Sequence, residues 1–189
     1  MEFGAFMREM RGATWIHGVA LATAGILLAS CSGTGTKERE RKYIPPAKVW
    51  SKVKKESAKH GLDPHFVYAI CHAESSLNAH AETSVARGIM QLTEAAWQDA
   101  TRGNDKVGYD LAFDWEVNVE TGVRYLAKLK GMLTKAKKFT YQRLAASYRW
   151  GFSRLRSHGY DVSKLPTPKN RIYRKIFSGN TRPVTAPGK

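Results

Sequence analysis

The sequence predicts an all-α fold in a single domain, and three observations carry that expectation. Apolar residues recur at helical spacing along most of the chain, most plainly at Val119, Val123, Leu126, Leu129 and Leu133. No stretch alternates apolar and polar residues over several positions between hairpin signals. Helix-start signals recur: Asp63-Pro64, Thr93, Asp114, Thr140 and Thr167-Pro168 each place a capping side chain ahead of a periodic run. A chain of 189 residues holds one domain of ordinary size with a short appendage. Apolar residues make up 42% and aromatics 11%, which excludes a wholly disordered chain. Two cysteines exclude a disulfide scaffold or a cysteine-rich zinc module, and no internal repeat points to a solenoid.

Taken in order, Pro45-Pro46 opens a first helix that runs to Lys59 and stops at Gly61. Asp63 caps a second, with Pro64 at its first position and an end near Ser75; Phe66, Ile70 and Ala73 share one face. A loop rich in Ser, Asn, Ala and Thr follows. Thr93 caps a helix ending near Gly103, and Asp114 caps the longest, Trp115 to about Ala136. Thr140 opens another through Trp150. Thr167-Pro168 opens the last, with Ile172, Tyr173 and Ile176 facing inward, and residues 179–189 read as a loose tail.

The N-terminal segment sets the compartment. Val19 to Ser30 is a run of twelve small or apolar residues. A membrane-spanning helix needs about 20, whereas a secretory apolar region needs about 7–15. The run ends in Leu28-Ala29-Ser30-Cys31, which resembles the bacterial lipobox. That resemblance implies a signal peptide over 1–30, acylation of Cys31, and residues 31–44 as a lipidated, solvated tether. Several acyl chains anchor a protein without a spanning helix. Ser32, in place of an aspartate, favours the periplasmic face of an outer membrane within the cell envelope. Cys71 lies in an apolar helical pattern and reads as a small core residue; a Cys31–Cys71 disulfide is the alternative.

The net charge of +15 is unevenly placed. From Thr121 to Lys189 there are 17 Lys or Arg and one acid, Asp161. So basic a back half implies a polyanionic neighbour, and the export signal argues against nucleic acid.

Three short constellations carry chemistry. Glu74 sits where the second helix ends, among partial negative charges and unpaired carbonyls, which raises a carboxyl pKa as a general acid requires. Gly88-Ile89-Met90-Gln91 combines a glycine that permits close approach with an amide suited to an acetamido sugar. Ala146-Ser147-Tyr148-Arg149-Trp150-Gly151 supplies a phenol able to bond a carboxyl group. Taken alone, Glu74 reads more readily as an ordinary helix end and Gly88 to Gln91 as a helix start with a core methionine, while Tyr148 reads equally well as a core tyrosine.

In this order, these residues resemble the catalytic domain of the soluble lytic transglycosylase (SLT) type, which has a goose-lysozyme-like fold with a substrate groove. The resemblance covers about Ala47 to Phe177, within a domain bounded at 45–178. It begins at Gly61-Leu62-Asp63-Pro64 and includes Glu74-Ser75, Gly88 to Gln91, Asn118 to Leu126, Ala146 to Gly151, and Pro168 to Ile176, with Tyr173 at the tyrosine position. Two positions depart from the family pattern: Arg149 stands where asparagine is usual, and Lys169 where glutamate is usual.

The resemblance implies cleavage of the β-1,4 bond between N-acetylmuramic acid and N-acetylglucosamine in peptidoglycan glycan strands. Ordinary glycosidases use two carboxylates. Here Glu74 would serve alone as acid and then base. The muramic 6-hydroxyl would close on the anomeric carbon and leave a 1,6-anhydro end. In this picture Ser75 orients substrate or Glu74, Met90 shapes the floor, Gln91 reads an acetamido group, and Tyr148 holds Glu74. Tyr173 completes the substrate-binding set. No metal or cofactor is required. A goose-type lysozyme using water, or a non-catalytic wall-binding lipoprotein, are the alternatives. The basic surface would concentrate the protein on acidic wall polymer.

Overall fold

The computed structural model describes residues 39–102 and 107–188. The expectations for the signal peptide, for Cys31 and for residues 32–38 lie outside these residues. Seven α-helices form the described chain: α1 (Pro46–Lys59), α2 (Pro64–Ser75), α3 (Glu94–Thr101), α4 (Trp115–Lys135), α5 (Tyr141–Trp150), α6 (Phe152–Ser157) and α7 (Arg171–Phe177). The expected caps form at four of these helices. Asp63 accepts from His65 N–H, Thr93 from Ala96 N–H, Asp114 from Glu116 and Val117 N–H, and Thr140 from Arg143 N–H. Each cap satisfies amides that have no partner within the helix.

Three parts of the sequence reading are corrected. First, a two-residue hairpin exists: β1 (Ala86–Arg87) pairs antiparallel with β2 (Leu92–Thr93), with Ala86 opposite Thr93. Strands this short carry no period. Second, α7 starts at Arg171, not at Pro168; its cap is Asn170, which accepts from Ile172 and Tyr173 N–H. The missed helix α6 begins directly after Gly151, whose φ of 90° breaks the axis of α5. Third, described residues from both expected loose segments lie against the domain. Residues 39–44 lie along 77–80: Ala79 N–H donates to Lys42 carbonyl, Ile44 N–H to Leu77 carbonyl, and Lys42 N–H to Asn78 Oδ1. In the tail, Arg182 Nε donates to Asp63 Oδ2 at 2.6 Å, and Val184 and Ala186 pack against the core.

The α4 stripe lies in the core. Val119, Val123, Leu126, Leu129 and Leu133 are all buried, against α1, α3 and α5. Each such side chain contributes about 1.5–3 kcal/mol of burial. Cys71 is a free, fully buried thiol, and burial pushes its pKa up to about 12. Helices α5 and α7 pack on one another, and α7 also packs on α2. This places the ends of three helices around Glu74.

Candidate active site

Glu74 occupies the last turn of α2. The helix then stops abruptly: Ser76 and Leu77 both take left-handed conformations, with φ of 54° and 68°. Neither is glycine, so the surrounding structure must hold this turn against its own preference. Ser76 N–H donates to His72 carbonyl, Ser75 Oγ lies within reach of Cys71 carbonyl, and Asn170 Nδ2 donates to Ala73 carbonyl at 2.9 Å. The carbonyls that the sequence suggested were unpaired are therefore largely partnered. Asn170 does double duty. Its oxygen caps α7 while its amide clasps the end of α2, which fixes Tyr173 against Glu74.

The Glu74 side chain is only 7% exposed. Tyr173 donates its phenolic hydrogen to Oε1 at 2.5 Å. The other oxygen, Oε2, faces Arg149 Nη1 at 3.5 Å. Burial raises the Glu74 pKa, and it outweighs the Tyr173 hydrogen bond and the Arg149 charge, both of which favour the carboxylate. Desolvation, not the helix terminus, is the principal cause. The other titratable groups near Glu74 are Tyr148 and Cys71. Burial raises both phenols well above their ordinary value, so Tyr148 and Tyr173 stay protonated and remain donors.

The expected companions of Glu74 form a scaffold around it. Tyr148 does not hold Glu74: its hydroxyl donates to Met90 carbonyl at 2.7 Å. Met90 is not a groove floor in this structure. It is fully buried, and a Cβ added at Gly122 would lie 2.4 Å from its sulfur. Glycine at 122 is thus the space that Met90 fills. Ser75 Oγ donates to Ile89 carbonyl at 2.7 Å, tying α2 to the hairpin loop. Gln91, at φ 47°, spends both amide hydrogens on Ala81 and Gly88 carbonyls, each at 2.9 Å. Only its oxygen remains to meet a ligand, as an acceptor.

Asn118 and Gly88 entered the sequence reading only within short motifs, and the structure gives them a mooring role. Asn118, fully buried on α4, accepts from Met90 N–H at 2.9 Å and donates to Ala112 carbonyl at 2.8 Å and Arg87 carbonyl at 3.2 Å. It moors the whole 87–91 loop. Gly88 sits against it at φ 79°, where an added Cβ would fall 2.1 Å from Ala112 carbonyl. A buried asparagine in a helix that otherwise reads as core is the signal that could have found this mooring. Arg149, the first departure from the family pattern, faces Glu74 directly. Lys169 is exposed.

A buried carboxyl above its ordinary pKa, fixed through one oxygen and free to exchange a proton through the other, can act as a general acid and then as a base. Among the described residues, no group of three or more His, Cys, Asp or Glu side chains lies close enough to hold a metal ion.

Comparisons with known proteins bear on the family and the fold. A family profile for the transglycosylase SLT domain matches residues 51–169. Membrane-bound lytic murein transglycosylase C from Salmonella arizonae is 34% identical over 100 residues, covering 50% of this chain and 26% of that protein. The protein of the same name from Serratia proteamaculans is 36% identical over 98 residues, covering 49% and 26%. The chain thus spans about a quarter of the length of the curated relatives it matches. Among solved structures, an inactive mutant of lytic transglycosylase Slt from Pseudomonas aeruginosa aligns with TM-score 0.51 and 20% identity, over 70% of this chain and 21% of that one. That likeness is one of fold.

Proposed function

Since the chain belongs to the transglycosylase SLT domain family, we propose that it is a peptidoglycan lytic transglycosylase with Glu74 as its single acid and base. The observation that carries this reading is the state of Glu74: 7% exposed, raised in pKa by burial, and held at Oε1 by Tyr173 so that Oε2 is the proton-bearing atom. Protonated Oε2 donates to the glycosidic oxygen as the bond to the muramic anomeric carbon breaks. The muramic acetamido group stabilises the cation-like centre. Glu74, now a carboxylate, takes the proton of the muramic 6-hydroxyl, whose oxygen closes on the anomeric carbon. No water is consumed. Ser75, Met90 and Tyr148 act by fixing the loop that carries Gln91, and the Gln91 oxygen accepts from a sugar N–H.

We place the protein in the cell envelope, acylated at Cys31 on the periplasmic face of an outer membrane. The names of the relatives, membrane-bound murein enzymes, support the envelope; the lipobox-like residues support the anchor. No helix among the described residues is long and apolar enough to cross a membrane.

The test is mass spectrometry of products from purified peptidoglycan, with Glu74→Gln in parallel. Anhydro-muramyl ends that vanish in the variant support the proposal. Reducing ends would indicate a lysozyme instead, and binding without products would indicate a wall-binding lipoprotein.

A further inference from the structure

Arg149 occupies an unusual position for a cation beside a general acid. Its Nη1 lies 3.5 Å from Glu74 Oε2, beyond the 2.7–2.9 Å of a strong charge-assisted bond. Its other close neighbours are ring faces: Trp150, 5.3 Å from the guanidinium carbon, and Tyr173, at 5.7 Å. No hydrogen bond from its side chain forms among the described residues, and 43% of that side chain is exposed. A guanidinium carries five donors in a planar fork that matches a carboxylate. Here almost all of that capacity is unspent, next to a buried acid.

The location creates a conflict for the reaction. Tyr173 holds Oε1, so the proton must ride on Oε2, and Oε2 is the oxygen that Arg149 faces. A cation there favours the carboxylate over the acid. Catalysis therefore gains from moving the guanidinium elsewhere, and an anion on the substrate is what would move it.

We propose that Arg149 reads a carboxylate of the glycan strand, leaving Glu74 Oε2 for that carboxylate when substrate binds. The inference rests on the peptidoglycan reading above and deepens it by naming a substrate determinant. The substrate group replaces Glu74 as counter-ion of Arg149, which releases Oε2 to carry the proton to the glycosidic oxygen. Two sources offer this chemistry: the lactyl carboxylate of muramic acid where the stem peptide has been removed, and the carboxylates of the stem where it is present. Arg149 is in this scheme a specificity-determining residue.

The experiment uses the full-length protein in detergent and four sets of purified glycan strands: peptide-bearing, peptide-stripped, and each of these with carboxyl groups capped as methylamides. Capping the source that Arg149 reads is expected to lower wild-type kcat/KM about five- to tenfold, the worth of one charge-assisted contact. Which pair responds identifies the source. Arg149→Asn is expected to bring that ratio close to one, and Arg149→Lys, which keeps the charge without the fork, to leave part of it. An Arg149→Asn protein that keeps the full ratio overturns the proposal, as does a wild-type protein indifferent to capping of both kinds. Binding of the same strands to Glu74→Gln and to Glu74→Gln/Arg149→Asn separates this inference from the function on which it rests. If wild type cleaves none of the strands, the transglycosylase reading fails. The binding ratio then decides on Arg149 by itself: a ratio lost with Arg149→Asn supports the proposal, and one retained overturns it.

Discussion

At the scale of single residues, Glu74 combines two costs that function requires. Its carboxyl is nearly enclosed, and ionising it there is unfavourable. The folded-state pKa lies above the unfolded value. The Glu74 contribution to stability is therefore fully present at low pH and is lost as pH rises from the ordinary carboxylate range through the raised value. Glu74→Gln removes that loss. The variant should melt higher than wild type at pH 7.5 and equal to it near pH 4, by calorimetry. The same variant should lose activity by a factor of about 10²–10⁴. A Tm that falls at neutral pH would mean that the carboxylate is stabilised, not strained, by its surroundings. Arg149 bears on the same titration. Activity declines as Glu74 loses its proton, and removing the cation raises the Glu74 pKa further. The alkaline limb of the kcat/KM profile, which reports the free enzyme in which Arg149 faces Oε2, should thus move to higher pH in Arg149→Asn. Movement toward lower pH would refute the pairing with Oε2. The sequence exposed Glu74 through its place at a helix end but misassigned the cause of its perturbation. Desolvation is a property of what packs around a residue, and α7 lies almost a hundred positions away in the chain.

Among secondary-structure elements, the 87–91 loop depends on α4 more than on its own hairpin. Asn118 supplies three hydrogen bonds from a fully buried position. Asn118→Ala strands Met90 N–H and Ala112 carbonyl away from water, at a cost of about 2–4 kcal/mol in denaturant unfolding. Gly88→Ala combines a positive φ with a Cβ 2.1 Å from a backbone oxygen, and should destabilise by a similar amount. Either variant unfolding at the wild-type midpoint would show that the loop is moored elsewhere. The long helices were legible because their caps and apolar stripes are local signals that repeat: Asp114 and the Val119–Leu133 stripe determine α4 almost alone. The hairpin, α6 and the start of α7 were not. Two-residue strands have no period to detect. Gly151 reads as an end, although here it only turns the chain between two helices. The cap of α7 is chosen by tertiary contact, because Asn170 also clasps Ala73. Pro168 gave the stronger local signal and lost to that contact.

Across the whole molecule, the basic back half forms an exposed cationic surface. Lys135, Lys137, Lys138, Arg154, Arg156, Arg171, Arg174 and Lys175 are all exposed, and none forms an ion pair with another described residue. Exposed charges of this kind act at a distance and are screened within about 10 Å at 0.1 M salt. Retention on purified peptidoglycan should fall steeply between 0.05 and 0.5 M NaCl, on the order of tenfold in sedimentation assays. Retention that ignores salt would remove the electrostatic account and leave the surface as a solubilising one. The pairing of Tyr173 with Glu74 has a different consequence, one of timing. The two residues lie 99 positions apart, and the clasp from Asn170 arrives with the same late segment. While the chain is being made, Glu74 is present long before the side chains that orient it. On the proposed function a wall-cutting centre is hazardous to the cell that synthesises it, and this one stays unassembled until α7 has been made. A chain clipped ahead of α7 is disarmed by the same design.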